Sequence, residues 1–512
     1  MRRILAPAVV LVLALGTFLT QPAGAAKAAG SFQLVGHDPL YSRGMNAAPA
    51  MYRHWLYVGS RTDGTHPHAG VLVVDVATPS TPKVVNEIGP PDEGLPTSTS
   101  RELRVWPQQK LLIVMNFQCS AILHACASPA DAAGSQLSSF NFFDLTDPAN
   151  PRLVSTYTPS RTPHEMFLWV DPAHAGRALL YFTTPTSSDT APNLIVADIS
   201  GARRGSFAEI LKWNPNTQFP RAFRDDNDVR LHSLALTPNG RRAYLAYLGG
   251  GFMVVDTSQL ADGVAHPTVR PLNTPGDPSW GNPGMHSSVK VPGTHYAFAT
   301  DEVYGDLLDP VTGYDHGCPW GWVRILDVAD EAHPRVVSEY RTAENRPDYC
   351  TSGGAGTTAS VSSFAMICDI PTDAQLAALE AAAGGGQDPL NTYFTSYSSH
   401  NPTVLPDLAF VTWHSNGLQA IDLGDPLHPR PVASFSPQPL AAVVTEDPAL
   451  STGESKVVAW SYPIIRNGLI YFVDVRNGLY VVRYHGPHER EVGSIGFYEG
   501  NSNLGDAARF GN

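Results

Sequence analysis

The sequence predicts an all-β chain folded as a seven-bladed β-propeller, its ring closed by an N-terminal strand. Three observations carry that expectation. First, an apolar run ending in aspartate recurs at Asp75, Asp144, Asp198, Asp256, Asp327 and Asp422, and a seventh copy, GLYVVRYHG, has Arg483 in the aspartate's place. Second, successive aspartates stand 54 to 95 residues apart, at or above the length of one four-stranded blade, the excess being loop. Third, 44 glycines and 44 prolines in 512 residues, with 16% charged side chains, suit short strands joined by turns.

The chain opens with Met1-Arg2-Arg3, the apolar stretch Ile4 to Leu19 and the small-x-small exit Ala23-Gly24-Ala25. These have the form of a secretory signal peptide, so residues 1–25 are expected to be a leader and 26–512 one propeller domain. Arg2-Arg3 is compatible with twin-arginine export, but the residues after it form the plain apolar core of a general signal. FQLVGHDPL, Phe32 to Leu40, looks like an outermost strand without a blade of its own; it or the C-terminal EVGSIGFYEG completes the last blade, with the N-terminal segment preferred.

Within each blade, segments such as LHSLALTPNGRRAYLAYLGG and HNPTVLPDLAFVTWH give an inner strand A, a turn and an apolar strand B. Strand C ends on the aspartate and strand D comes after a proline turn, as in PRVVSEY. Continuous apolar runs such as Val71 to Val74 fit strands covered on both faces. The only helix expected is near Thr372 to Ala383, where DAQLAALEAAA is rich in helix formers. Five cysteines in an exported chain invite disulfides: Cys119–Cys126 pair most easily, and Cys318–Cys350 competes with Cys350–Cys368. Cys318-Pro319-Trp320-Gly321-Trp322 reads as blade-edge core rather than a binding surface.

These residues resemble the LVIVD-repeat proteins, bacterial propellers named for the apolar run that ends in aspartate and is followed by a DPxxP turn. Asp147-Pro148-Ala149-Asn150-Pro151 and Asp425-Pro426-Leu427-His428-Pro429 match that turn fully, and the segments Ala77 to Pro82 and Ala329 to Pro334 match it loosely. The resemblance covers nearly the whole mature chain, although blades three, four and seven lack the turn. It implies architecture and no particular activity.

Strand A is innermost in a propeller, so its first residues meet at one mouth of the central channel. The equivalent positions read Arg101-Glu102, His164-Glu165, His232, His286, His400 and Trp460-Ser461 in blades two to seven. Four consecutive blades thus aim a histidine at the axis. Four neutral imidazoles, with Glu102 and Glu165 to orient them or complete the shell, suit one transition metal ion, Fe, Cu or Zn. The arrangement is similar to the four-histidine iron site of carotenoid oxygenases, also seven-bladed propellers. The competing expectation is that each histidine is structural and bonds its own loop. His414, after strand B, is expected at the far end of its blade.

A formal charge of −13, or −15 without Arg2 and Arg3, and the lack of any Lys/Arg cluster exclude nucleic acid and anionic lipid as partners. After the leader no apolar stretch is long enough to span a bilayer. No GxSxG occurs, which argues against a serine hydrolase. Asp225 to Asp228 lacks the glycine and distal glutamate of a calcium loop and reads as a solvated acidic turn. Two functions remain: a secreted, monomeric binding module for a protein, glycan or small-molecule ligand, and a metal-dependent enzyme of the oxidoreductase type with His164, His232, His286 and His400 as ligands.

Overall fold

The computed structural model describes residues 29–89, 98–118, 138–184, 190–217, 230–248, 251–274, 277–278, 284–302, 320–346, 396–447, 451 and 455–510. The expected leader, the five cysteines, the helix expected near Thr372 to Ala383 and the acidic turn expected at Asp225 to Asp228 lie outside the described residues.

Strand β1 (Ser31–Asp38) comes first, and six four-stranded antiparallel sheets come after it. Blade one holds β2 (Asn46–Tyr52), β3 (Trp55–Ser60), β4 (Val71–Asp75) and β5 (Lys83–Ile88). Blade two holds β6 (Ser98–Trp106), β7 (Leu111–Gln118), β8 (Ser139–Asp144) and β9 (Arg152–Tyr157). Blade three holds β10 (Met166–Val170), β11 (Ala178–Thr183), β12 (Leu194–Gly201) and β13 (Ser206–Trp213). Blade four holds β14 (Arg230–Leu236), β15 (Arg242–Leu248), β16 (Gly251–Asp256) and β17 (Arg270–Pro271). Blade five holds β18 (Gly284–Lys290), β19 (Tyr296–Glu302), β20 (Val323–Asp327) and β21 (Arg335–Tyr340). Blade six holds β22 (Pro402–Val404), β23 (Leu408–Thr412), β24 (Leu418–Asp422) and β25 (Arg430–Phe435). The seventh sheet is built from β26 (Ile464–Arg466), β27 (Leu469–Asp474), β28 (Gly478–His485) and β29 (Phe497–Tyr498), with β1 added at its outer edge.

The chain is therefore an all-β, seven-bladed propeller. Its inner strands touch one another around the axis, β2 on β6, β6 on β10, β10 on β14, β14 on β18 and β18 on β22, and β2 also meets β27 of the last blade. The ring closes as the N-terminal strand predicts: β1 pairs antiparallel with β28, from Ser31 opposite His485 to Asp38 opposite Leu479. That pairing covers an edge that would otherwise expose free N–H and C=O groups.

Each strand C is apolar because both of its faces pack between neighbouring blades; Val71 to Val74 are fully buried. The aspartate ending it turns the chain. Its Oδ1 accepts the backbone N–H two residues on, at Ala77 (2.8 Å), Ser200 (2.8 Å), Ser258 (2.9 Å), Ala329 (2.9 Å) and Gly424 (2.9 Å). Opposite it strand D begins with a base: Asp75 faces Lys83, Asp144 Arg152, Asp256 Arg270, Asp327 Arg335 and Asp422 Arg430. Blades three and four, without the proline turn, use a 3-10 turn at Ala202–Arg204 and a short helix at Ser258–Ala261. Trp320 and Trp322 are buried, Trp322 lying under the guanidinium groups of Arg324 and Arg341 at 4.5 and 3.5 Å.

The C-terminal segment takes the other edge of the last blade. After the short helix Glu489–Gly493, β29 pairs with β26 on its axis side. The chain then runs to blade three, where Ser502 bridges Leu168 and the Asn503 side chain accepts from Val170 N and donates to the carbonyls of Val170 and Pro238. Asn501 O accepts from Arg104 of blade two, and Tyr498 OH donates to Val404 O of blade six. The tail is thus bonded to four inner strands toward their later residues, away from the end where the histidines lie.

Candidate metal centre at the channel mouth

A backbone irregularity aims the histidines inward. In β14 and β18 the register against strand B slips at His232 and His286, so each is the extra residue of a β-bulge. Arg101 holds the same place in β6. Just ahead of β10 and β22, Thr183 exchanges bonds with His164 N and Glu165 O, and Thr412 with His400 N and Asn401 O. The two-against-one count is thus repeated. A bulge re-aims a side chain out of the alternating pattern, here toward the axis. Threonines of preceding blades hold the bulges: Thr183 Oγ1 donates to His232 O at 2.8 Å and Thr300 Oγ1 to His400 O at 2.6 Å.

The four imidazoles form an arc, with centroids 4.5 Å apart for His164 and His232, 4.1 Å for His232 and His286, and 4.2 Å for His286 and His400. His164 Nε2 lies 2.8 Å from His232 Nε2. They are not in separate pockets, and all four are buried.

Two more residues belong to the arc. Glu302, at the end of β19, places Oε2 at 3.3 Å from His286 Nε2 and Oε1 at 3.1 Å from both His400 Nε2 and His414 Nε2. The expectation for His414 is therefore corrected: strand B runs antiparallel to strand A, so its end returns to the mouth where strand A starts. The same reasoning would have found Glu302. His414 stacks on Trp460 with an interplanar angle of 4°.

Three donor sets result: His164, Glu165 and His232; His232, His286 and Glu302; Glu302, His400 and His414, each with its ligand atoms within 4.8 Å of one another. Glu102 is in none of these sets; it neighbours Glu165 and is paired with Arg104 at 3.0 Å, and Glu165 also meets Arg101 at 3.8 Å. Of the other buried carboxylates at strand-B ends or near the mouth, Asp301 is matched with Arg324 and Asp447 with Arg61 at 3.9 Å, while Asp474 accepts from the backbone N–H groups of Val458 and Arg476. Glu302 pairs with no Lys or Arg among the described residues.

The proton positions at His400 are set by its partners. Nδ1 lies 2.5 Å from the carbonyl of Trp460, which can only accept, so Nδ1 carries the proton and Nε2 presents a lone pair in the neutral ring. Burial holds His400 below the ordinary histidine range, although Glu302 opposes it. Burial, reinforced by His232, holds His286 well below that range, and burial takes His232 down to about 3. Burial alone would raise Glu302, but His400 and His286 outweigh it and keep the carboxyl well below its usual range. Burial and neighbouring Glu102 push Glu165 well above its ordinary value.

A carboxylate oxygen and an imidazole lone pair thus stand face to face, with neither His400 Nε2 nor His286 Nε2 nor Glu302 Oε2 in a hydrogen bond among the described residues. Two donors about 2.1 Å from one ion and about 90–110° apart are separated by about 3.0–3.4 Å. The separations of 3.1 and 3.3 Å have that spacing.

No family model matches the chain, and no curated protein matches it. Among solved structures, the periplasmic gluconolactonase PpgL of Pseudomonas aeruginosa is 12% identical, with 84% of this chain and 96% of that one covered and a TM-score of 0.45. The β-propeller domain of Myceliophteria thermophila Cps50 (Swd1) is 9% identical, with 88% and 99% covered and a TM-score of 0.45. The computationally designed protein Ika8 is 7% identical, with the same coverages and a TM-score of 0.38. None of these likenesses speaks to activity.

Proposed function

We propose that this chain is a transition-metal protein whose centre is Glu302 with His232, His286, His400 and His414, and that it acts as a metal-dependent enzyme of the oxidoreductase type. One observation carries the reading: a buried carboxylate with no guanidinium or ammonium partner among the described residues has the Nε2 atoms of three histidines around it at ligand spacing, Oε1 bonded to His414 and Oε2 in no hydrogen bond there. A buried carboxylate costs several kcal/mol unless a cation or a sufficient set of hydrogen-bond donors compensates it. A neutral, imidazole-rich donor set with one carboxylate suits Fe, Cu or Zn. Nδ1 of His400 on a backbone carbonyl is the kind of outer contact that fixes the tautomer of a metal-binding histidine, and Nδ1 of His286 at 2.7 Å from Ser287 Oγ is one that orients the ring. The leader-like start supports an exported, single-domain protein, and the repeats support placing it among the LVIVD-type propellers.

Metal analysis of the full chain, purified without chelators, tests the reading together with His400→Ala and Glu302→Gln. Stoichiometric Fe, Cu or Zn in the parent, reduced in His400→Ala and lost in Glu302→Gln while the circular dichroism is unchanged, is the expected result. A parent that neither carries nor takes up these metals leaves the secreted binding module as the function.

A further inference from the structure

We propose that the centre takes two metal ions, bridged by the two oxygens of Glu302. The inference rests on the metal reading above and adds to it a second ion with its own ligands. The donors divide in a way one ion cannot use. His286 Nε2 faces Oε2 of Glu302 at 3.3 Å, whereas His400 Nε2 and His414 Nε2 both face Oε1 at 3.1 Å. His232, His286 and Glu302 form one set of three, Glu302, His400 and His414 another, and they share only Glu302.

The fold explains the division. Each blade contributes one bulge histidine, and a blade-to-blade step moves the ring centroid by 4.1 to 4.5 Å. Donors for one ion lie about 3.0–3.4 Å apart when adjacent and about 4.2 Å apart when opposite, whereas among the described residues no set with its ligand atoms within 4.8 Å of one another joins His232 or His286 to His400 or His414. Dinuclear sites hold their ions about 3.5–4 Å apart, clamping a reacting group between them. A carboxylate whose oxygens serve different histidines has the reach for that spacing.

Both sets are braced from behind. His400 Nδ1 donates to Trp460 O, His414 Nδ1 lies 3.0 Å from Ser396 Oγ, and His286 Nδ1 lies 2.7 Å from Ser287 Oγ. Ser287 Oγ lies in turn 3.3 Å from the buried Tyr462 hydroxyl. At the end of the arc, Glu165 faces Arg101 at 3.8 Å and is already matched with a cation, so the third set does not call for another ion.

The test is a count. Metal-depleted full-length protein is titrated with Cu2+, bound metal is measured after gel filtration, and the electron paramagnetic resonance signal is integrated. Two ions per chain are expected, with a spin intensity well below two because the shared carboxylate couples them. His414→Ala is expected to hold one ion with a full, uncoupled signal, as is His232→Ala. One ion per parent chain with full spin intensity overturns the bridge and leaves the metal reading standing; no bound ion overturns both. Should a variant fail to fold, the parent's count and spin intensity decide the matter.

Discussion

Nε2 of His400 stands 3.1 Å from Oε1 of Glu302 while Nδ1 of the same ring is committed to the carbonyl of Trp460. No proton is left to place between the facing atoms of a neutral ring. A proton or a metal cation between the facing atoms makes the contact favourable, and burial of His400, which disfavours its charged form, leaves the metal as the proposed occupant.

The outer hydrogen bonds that aim His400 should matter to the metal. Thr300 Oγ1 donates to His400 O at 2.6 Å. Thr300→Val keeps the shape and removes the donor to the His400 backbone, and should weaken metal binding by less than the about 10–100-fold expected for a partner of the ring itself and stability by about 1–2 kcal/mol. Competition with a chelator of known affinity reads the first, thermal unfolding of metal-free protein the second.

The aspartate turns are structural. Asp327 accepts from Ala329 N at 2.9 Å and pairs with Arg335 at 3.1 Å. Asp327→Ala should cost about 1–2 kcal/mol and leave metal content unchanged. The hydrogen bond from Ala329 N, helped by Arg335, holds the Asp327 carboxyl below its ordinary value of 3.8. Its contribution is therefore present above that value and lost as pH falls through the lower folded-state value. The deficit of the variant should shrink in acid, as denaturant midpoints at pH 7 and pH 3 would show.

Ring closure can be weakened without touching the mouth. Phe32 of β1 packs on Phe410 and Tyr484 at 6.0 and 5.6 Å between centroids, while Leu34 on the same strand is 49% exposed. Phe32→Ala should lose about 2 kcal/mol for a half-buried aromatic, and Leu34→Ala almost nothing. Equal melting of the two variants would mean that β1 is not the closing strand.

Glu491, in the helix before the channel tail, gives a pH signature of opposite sign. Burial, then the charge of Asp407, pushes its carboxyl up to about 7 from 4.5. The folded state binds this proton more tightly than the unfolded one, so stability should fall as pH rises from 4.5 to 7 and stay lower above it. Glu491→Gln should flatten that slope and raise the melting temperature above pH 7. A parent whose melting temperature does not decline across that range relative to the variant contradicts the assignment.

The blades were legible because a strand covered on both faces must be apolar along its length, and the aspartate that ends it must be polar to hold the turn. Repeated six times, that grammar reads through irregular loops. The closing strand was legible for the same reason: Phe32 to Leu40 has the form of a strand with no blade of its own. The histidine arc was half legible. Counting strand-A starts finds His164, His232, His286 and His400, but the bulge that turns His232 and His286 inward leaves no mark in periodicity. Glu302 and His414 escaped because they sit at strand-B ends, which antiparallel pairing returns to the same mouth. Glu102 has the right position along its strand, but the local partner Arg104, two residues on, holds it.

The most direct measurement is anomalous X-ray scattering from crystals of the metal-loaded full chain, collected above and below the absorption edge of the bound element. Peaks are predicted on either side of the Glu302 carboxylate, one within bonding distance of His232 and His286, the other of His400 and His414. A map with no peak at Glu302, or with metal only on surface histidines, would contradict the account.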